Sequence, residues 1–159
     1  MPTSPRNRSA PASSSAFRSD VSAPLHATAV ALTPEAGVLI LGPSGAGKSG
    51  LALRLMALGA RLVADDRVFL AAEDGALIAR APAQIAGLIE ARGAGILRAD
   101  TLAQARIVLA VDMGQDETER LPPSREIACL GVTLPLVLRL QHGHLEAVIL
   151  QWLRAGRAM

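Results

Sequence analysis

This chain of 159 residues has few aromatic side chains, one cysteine and no long apolar run. It contains two Phe, one Trp and no Tyr although 50% of it is hydrophobic, so Ala, Leu, Val and Ile must build the core. Cys129 cannot form an internal disulfide, and three scattered His give no zinc-binding spacing. Because no apolar run reaches the ~18 residues that a membrane span needs, we expect a soluble cytoplasmic protein.

Lysine is also nearly absent. The 16 Lys and Arg residues include one lysine, Lys48. A lysine kept in such a chain suggests a site where a compact ammonium cannot be replaced by a planar guanidinium. The net charge of +2 does not indicate nucleic-acid binding, because the excess lies in residues 1–24, and residues 25–159 balance at 13 basic and 13 acidic side chains.

The length suits a single domain after a segment of different composition. Residues 1–24 are rich in Ser, Pro and Ala and predict a disordered basic tail, and the folded domain is predicted over residues 25–159. Apolar periodicity in that domain predicts an α/β fold with many strands for two helices. The predicted elements are strands at 26–32, 38–41, 61–64 and 106–111, helices at 48–58 and 145–154, a hairpin at 68–79, a loop between short strands at 84–98, a charged loop at 114–125, and strand segments interrupted by Pro135 at 127–140.

A glycine-rich loop between a buried strand and an amphipathic helix has the P-loop pattern in its required context. Its glycines allow backbone N–H groups to surround a phosphate at a helix N-terminus. Lys48 is expected to be an exposed loop lysine that reaches the β- and γ-phosphates, and Ser49 to bind magnesium. The predicted nucleotide-binding residues are Gly42, Pro43, Ser44, Gly45, Ala46, Gly47, Lys48 and Ser49.

Two adjacent aspartates, Asp65 and Asp66, end the strand that follows the predicted P-loop helix. This position places both carboxylates beside the bound phosphates. One carboxylate can accept a proton from an acceptor hydroxyl while the other organises backbone or metal. An acidic turn that opens the following hairpin is the alternative interpretation.

A third segment, Ile89 to Leu97, reads Ile-Glu-Ala-Arg-Gly-Ala-Gly-Ile-Leu. Its glycines allow the backbone to approach a ligand closely, and Glu90 can place a carboxylate near a metal. Taken alone, the pattern is equally compatible with solvated Glu90 and Arg92 beside a loop.

In order, His26, the loop Gly42 to Ser49, the segment Leu62 to Asp66 and the segment Ile89 to Leu97 resemble the catalytic domain of the HPr kinase/phosphorylase family, over about Leu25 to Trp152. The resemblance implies a P-loop-containing, strand-rich mixed sheet around the P-loop helix, like that of phosphoenolpyruvate carboxykinase. It also implies a hexamer that uses ATP and Mg²⁺ to phosphorylate a serine of the phosphocarrier protein HPr.

The same resemblance implies roles for individual residues. Lys48 corresponds to the phosphate-binding lysine, and Ser49 and Glu90 to magnesium ligands. Asp66 corresponds to the proton acceptor for the serine hydroxyl, and to the proton donor in the reverse direction, with Asp65 beside it. His26 and Arg120 correspond to an active-site histidine and arginine; a strand-end histidine and an exposed loop arginine are the alternatives.

Two departures from the family pattern stand out. The usual amino-terminal domain is replaced by the short tail, which predicts a form that holds only the kinase domain. The segment Gln141 to His144 stands where the family has a loop with two arginines associated with dephosphorylation, and Arg139 lies just outside it. Neutral imidazoles bind phosphate weakly, so phosphorylase activity is doubtful.

Two other functions stay open from the sequence. Small-metabolite kinases of the shikimate or gluconate type also place acidic residues after the P-loop helix, although they need a helical lid that the sequence does not predict. A nucleotide-binding sensor without turnover fits the short length, but Asp66 and Glu90 argue against it.

Overall fold

A computed structural model of the protein describes residues 16–17 and 24–159. The strands and helices follow the predicted order closely from the second strand to the last helix. Their bounds are β1 Ala16–Phe17, β2 Thr28–Thr33, β3 Ala36–Leu41, α1 Lys48–Ala57, β4 Arg61–Ala64, β5 Phe69–Glu73, β6 Ala76–Arg80, β7 Leu88–Ala91, β8 Gly95–Arg98, β9 Gln104–Glu117, β10 Glu126–Cys129, β11 Val132–Leu140 and α2 Leu145–Ala155.

The main sheet is mixed, with the strand order β1-β10-β11-β9-β3-β2-β4. β3 and β9 are parallel, whereas β2 runs antiparallel to both β3 and β4. The hairpin β5–β6 joins the sheet through β9, and β7–β8 form a separate two-stranded sheet. The prediction of an α/β fold with a strand-rich mixed sheet is therefore confirmed.

Alternate residues of the central strands face two different apolar clusters, as the two-residue period of a strand requires. Val38 and Ile40 on β3 pack with residues of α1 and α2, such as Leu51 and Ile149. Leu39 on the same strand packs in the second cluster, with residues of β6 and β10. In the described part of the chain, the buried hydrophobic residues are Ala, Leu, Val and Ile together with Met113 and Cys129.

Two predicted boundaries after β6 are wrong. The segment that was predicted to begin the charged loop at Gly114 continues β9 as far as Glu117. Its charged side chains are compatible with a strand because each has a partner: Asp116 pairs with Arg139 on the neighbouring β11, and Glu117, whose side chain is 6% exposed, pairs with Arg125. The loop between the strands therefore starts at Thr118 and not at Gly114.

Pro135 does not interrupt β11, which runs unbroken from Val132 to Leu140. Pro135 lies opposite Glu126 of β10, and the backbone hydrogen bond to Arg125 O comes from the next residue, Leu136. Pairing with β9 also begins only at Leu136. A residue without an N–H group therefore costs neither ladder a hydrogen bond at this position.

The predicted tail at residues 1–24 lies mostly outside the described residues. Among the residues that are described within it, Ala16 and Phe17 pair in parallel with Ala128 and Cys129 of β10. Among the described residues, no helix is long and apolar enough to cross a membrane.

Candidate active site

The loop from Gly42 to Ser49 connects β3 to α1 and depends on three glycines with positive φ. The φ angles of Gly42, Gly45 and Gly47 are 143°, 85° and 95°, values that other residues rarely adopt. A Cβ atom on Gly42 would lie 3.1 Å from Ala46 Cβ and 3.2 Å from Met113 Cβ. The chain therefore needs glycine here both for backbone conformation and for space.

Lys48 is the first residue of α1, and its side chain turns back across this loop. Its ammonium donates to Gly42 O at 2.7 Å and to Pro43 O at 3.0 Å. Only 7% of the residue is exposed, so the expectation of an exposed loop lysine is wrong. Burial lowers the pKa of Lys48, and the negative charges of Asp66 and Asp65 partly oppose that shift.

Asp65 is buried directly after β4 and accepts three hydrogen bonds. Its Oδ1 accepts from Thr28 Oγ1 at 3.0 Å and from Ser49 Oγ at 2.7 Å. Its Oδ2 accepts from the backbone nitrogen of Glu90 at 3.0 Å. Asp65 thus joins β2, α1 and β7 at one carboxylate, and among the described residues no buried polar side-chain atom lacks a partner.

Asp66, the next residue, has very different surroundings. Its side chain is 60% exposed, and its Oδ1 lies 2.7 Å from His26 Nε2. Its backbone has a φ of 65°, and Arg67 N donates to Asp65 O at 2.7 Å across it. Asp66 is therefore an accessible carboxylate that a histidine contacts on one side.

A cleft of about 360 Å³ brings together most of the residues that the sequence singles out. Its walls come from the glycine-rich loop, the first turns of α1, the start of β2, the turn after β4 and the end of β7. The predicted residues that line the cleft are His26, Ser44, Gly45, Gly47, Lys48, Ser49, Asp66 and Glu90. Gly42, Pro43, Ala46 and Asp65 do not line it, but the backbone oxygens of Gly42 and Pro43 accept from Lys48.

The donor set in the cleft suits magnesium, although no group of three or more His, Cys, Asp or Glu side chains arranged to hold a metal occurs within residues 24–159. Ser49 donates its hydroxyl hydrogen to Asp65, which leaves the Ser49 oxygen as an acceptor. The exposed Glu90 carboxylate lines the same cleft. Magnesium in phosphoryl-transfer sites binds through few protein oxygens together with substrate phosphates and water, so Ser49 and Glu90 fit it.

Thr28 and Arg92 are the polar residues of the cleft lining that carry no catalytic prediction from the sequence. Thr28 is fully buried at the start of β2, and Arg92 lies exposed after β7. A threonine in a buried strand has no motif to mark it, whereas the alternation of Glu90 and Arg92 along the chain was visible but ambiguous. Arg120, by contrast, lies exposed in the loop after β9 and does not line the cleft.

At the C-terminal end of β9, Asp116 and Glu117 form ion pairs with arginines. Arg139 Nε lies 2.6 Å from Asp116 Oδ1, and Arg125 contacts both carboxylate oxygens of Glu117 at 3.0 Å. These contacts lower the pKa values of Asp116 and Glu117. Residues 141–144 are exposed, and Arg139, which lies just outside them, pairs with Asp116.

Comparison with known proteins gives a consistent family. The model of the HPr Serine kinase C-terminal domain matches residues 21–135. An HPr kinase/phosphorylase of Aromatoleum aromaticum is 41% identical over 130 residues, which is 72% of this chain and 42% of that protein. HPr kinase/phosphorylase 1 of Oceanobacillus iheyensis is 54% identical over 67 residues, 42% of this chain and 22% of its own length.

A solved structure extends the likeness to the fold. The Hpr(Ser) kinase/phosphatase from Coxiella burnetii superimposes with a TM-score of 0.69 at 28% identity, covering 82% of this chain and 93% of that one. The chain spans between 22% and 42% of the length of the curated relatives named above. On the family match, the mixed sheet and the structural likeness, this chain belongs to the HPr serine kinase C-terminal domain family.

Proposed function

We propose that this chain is an ATP-dependent kinase that phosphorylates a serine of HPr. The observation that carries the proposal is the Asp66 carboxylate, exposed in the cleft and 2.7 Å from His26, opposite the glycine-rich loop and Lys48. A general base must be accessible to the hydroxyl from which it takes a proton. Asp66 meets that condition, whereas the Asp65 oxygens are occupied by three hydrogen-bond donors.

The proposed reaction assigns a different task to each residue. Asp66 accepts the proton of the serine hydroxyl. The serine oxygen bonds to the γ-phosphorus of ATP, and the bond from that phosphorus to the leaving ADP oxygen breaks. The glycine-rich loop and Lys48 hold the phosphates, which requires Lys48 to exchange its contacts with Gly42 and Pro43 for phosphate oxygens. His26 orients Asp66 through their hydrogen bond.

Ser49 and Glu90 are the residues that would hold Mg²⁺ in this scheme. When bound, Mg²⁺ neutralises charge on the β- and γ-phosphates. Asp65 positions Ser49 by accepting its hydroxyl hydrogen, and it fixes the backbone of Glu90 by accepting from that residue's N–H group. Both proposed ligands are therefore held by one buried carboxylate.

HPr is the substrate suggested by the names of the relatives, which are HPr kinase/phosphorylases. The comparisons give no support to a small-metabolite kinase. Arg120 keeps the catalytic role implied by the resemblance only as a prediction. A hexamer and a cytoplasmic location also remain predictions.

Phosphate transfer from labelled ATP tests the proposed function. HPr, HPr with its acceptor serine replaced by alanine, and a panel of small alcohols, including shikimate and gluconate, are offered as acceptors in the presence of Mg²⁺. We expect label on HPr alone and none on the serine-free variant. Label on a small alcohol, or ATP binding without transfer to any acceptor, would contradict the proposal.

For the reverse reaction we propose little or no activity. Phosphate attack on phosphoserine brings two dianions together, which requires fixed positive charge around them. Residues 141–144 supply two histidines in place of arginines, and Arg139 is paired with Asp116. Pyrophosphate release from seryl-phosphorylated HPr at millimolar phosphate measures this activity, and a rate comparable to that of the kinase reaction at pH 7.5 would refute the expectation.

A further inference from the structure

The hydroxyl of Thr28 connects the two adjacent aspartates. Thr28 has no exposed surface, and its Oγ1 donates to Asp65 Oδ1 at 3.0 Å. The same oxygen accepts from the backbone nitrogen of Asp66 at 3.4 Å. A hydroxyl has one hydrogen and two lone pairs, so both bonds can exist together. No motif and no family role assigned above includes this residue.

Asp66 has a backbone conformation that its neighbours must hold in place. It lies at the centre of a three-residue turn closed by Arg67 N and Asp65 O, with a φ of 65°. Such turns with positive φ at a non-glycine centre are rare and strained. A residue in this state keeps its direction only when surrounding contacts fix it.

Those contacts come from the segment opposite the turn. On one side, Ala29 of β2 pairs with Ala64 of β4, and on the other, Leu25 and Val68 form a bridge with two backbone hydrogen bonds of 2.8 and 2.9 Å. Between these two fixed points, residues 26–28 face residues 65–67. Thr28 provides the hydrogen bond to the strained Asp66 backbone, and His26 provides the one to its carboxylate.

We infer that Thr28 is a positioning residue for phosphoryl transfer. Its hydroxyl holds the turn so that the Asp66 carboxylate faces the cleft. The inference rests on the proposed kinase function for its effect on catalysis, and on the hydrogen bonds alone for its effect on the turn.

The chain offers a matched set of substitutions. Thr28→Val keeps the size and the β-branched shape that suit a buried strand but removes both hydrogen bonds, whereas Thr28→Ser keeps the hydroxyl. Thr33→Val makes the same chemical change at the other end of β2, where the exposed Thr33 hydroxyl accepts only from Glu35 N at 3.3 Å. Thr28→Ala is a second hydroxyl-free variant in case the valine variant does not fold.

We expect Thr28→Val to lower kcat for HPr phosphorylation by about tenfold or more, the scale of a displaced catalytic group, with Kd for ATP nearly unchanged. Ser49 and Glu90 keep their bonds to Asp65 in this variant, which is why nucleotide binding should persist. Thr28→Ser should restore kcat, and Thr33→Val should match the parental protein. A parental kcat for both hydroxyl-free variants would overturn the inference.

A double-mutant cycle separates positioning from general damage. If Thr28 acts through Asp66, adding Thr28→Val to Asp66→Asn should change the residual rate less than about twofold, because the group being positioned no longer acts as a base. Independent multiplication of the two losses would contradict action through Asp66.

Amide hydrogen exchange at Asp66 tests the inference even if HPr is not the substrate. Thr28→Val should accelerate exchange at the Asp66 amide, while Thr28→Ser and Thr33→Val leave it at the parental rate. Parental exchange in the valine variant would overturn the inference. If the unsubstituted protein does not phosphorylate HPr, the proposed function is refuted. The exchange rate of the Asp66 amide then decides the role of Thr28.

Discussion

Two regions of the sheet, the cleft beside β2 and β4 and the C-terminal end of β9, use charged residues in opposite ways. At the cleft, between β2, β4 and α1, one buried carboxylate, Asp65, takes three hydrogen bonds, and the neighbouring Asp66 stays accessible. At the C-terminal end of β9, the charged side chains are matched in ion pairs, Asp116 with Arg139 and the nearly buried Glu117 with Arg125. Asp66 also contacts His26 and lies 4.0 Å from Arg67 Nε, but its side chain is 60% exposed, against 36% for Asp116 and 6% for Glu117, so it is the most open of the three to a substrate.

This difference indicates which carboxylate of the molecule can react with a substrate. Exposed ion pairs contribute little to stability and hold few neighbours in place. The buried Asp65 fixes parts of three elements, and the strained turn beside it directs one carboxylate into a cleft. We therefore expect substitutions at the cleft to change phosphate transfer, and substitutions of the exposed pair Asp116–Arg139 to change it little.

Asp66→Asn should have the largest effect. Asparagine keeps the size and hydrogen-bonding capacity of the side chain but cannot accept the serine proton, so kcat should fall by about a hundredfold or more with ATP affinity kept. Asp74→Asn is the matched control, because Asp74 is also an exposed aspartate with positive φ, 51°, in the turn between β5 and β6 and outside the cleft lining. Steady-state transfer to HPr measures both, and a parental rate for Asp66→Asn would place the base elsewhere.

Lys48→Arg should come second. The buried ammonium fits between two carbonyl oxygens at 2.7 and 3.0 Å, a space that a larger planar guanidinium can enter only by displacing the loop. We expect ATP affinity to fall by about tenfold or more, as measured by calorimetry. Arg139→Lys makes the reverse exchange in the exposed pair with Asp116 and should leave the affinity for ATP unchanged. Equal affinities for all three proteins would show that any cation suffices at position 48.

Asp65→Asn tests how much the buried carboxylate contributes to stability compared with an exposed ion pair. An amide has one oxygen and one NH₂ group, so it cannot accept from Thr28, Ser49 and Glu90 as the carboxylate does. One buried donor would be left without a partner, which costs about 1–3 kcal/mol in the free energy of unfolding. Asp116→Asn breaks only an exposed pair and should leave the denaturation midpoint unchanged. A destabilised Asp116→Asn with a stable Asp65→Asn would reverse the comparison.

The cleft was largely predictable from the sequence because its parts are short and contiguous. Gly42 to Ser49, the helix after it and the aspartates after β4 follow one another along the chain, and the apolar periods around them are regular. Glu90 belongs to a segment that became informative only beside these parts. Thr28 escaped prediction because a threonine in a buried strand is ordinary, and its role depends on where β2 and β4 bring their ends together.

The region from the C-terminal end of β9 to β11 was less predictable for a physical reason. Gly114 to Glu117 are polar enough to resemble a loop, and their strand conformation depends on pairing with a distant segment, β11. Pro135 is tolerated because of the register with β10, which no local pattern encodes. The position of Arg120 follows from the path of the connecting loop, and that path is set by the ends of β9 and β10.

Deletion of residues 1–24 should have the smallest effect on stability and on phosphate transfer. The described residues Ala16 and Phe17 pair with β10, at the opposite end of the strand order from β4 and the catalytic turn. Loss of a two-residue pairing removes few hydrogen bonds, so we expect about 1 kcal/mol or less in the free energy of unfolding. HPr phosphorylation should keep its parental kcat, since β1 lies at the other end of the strand order from the strands that form the cleft. Chemical denaturation and transfer assays on the truncated and full chains measure both quantities, and a reduced kcat with an unchanged denaturation midpoint would show that the segment acts on the cleft itself.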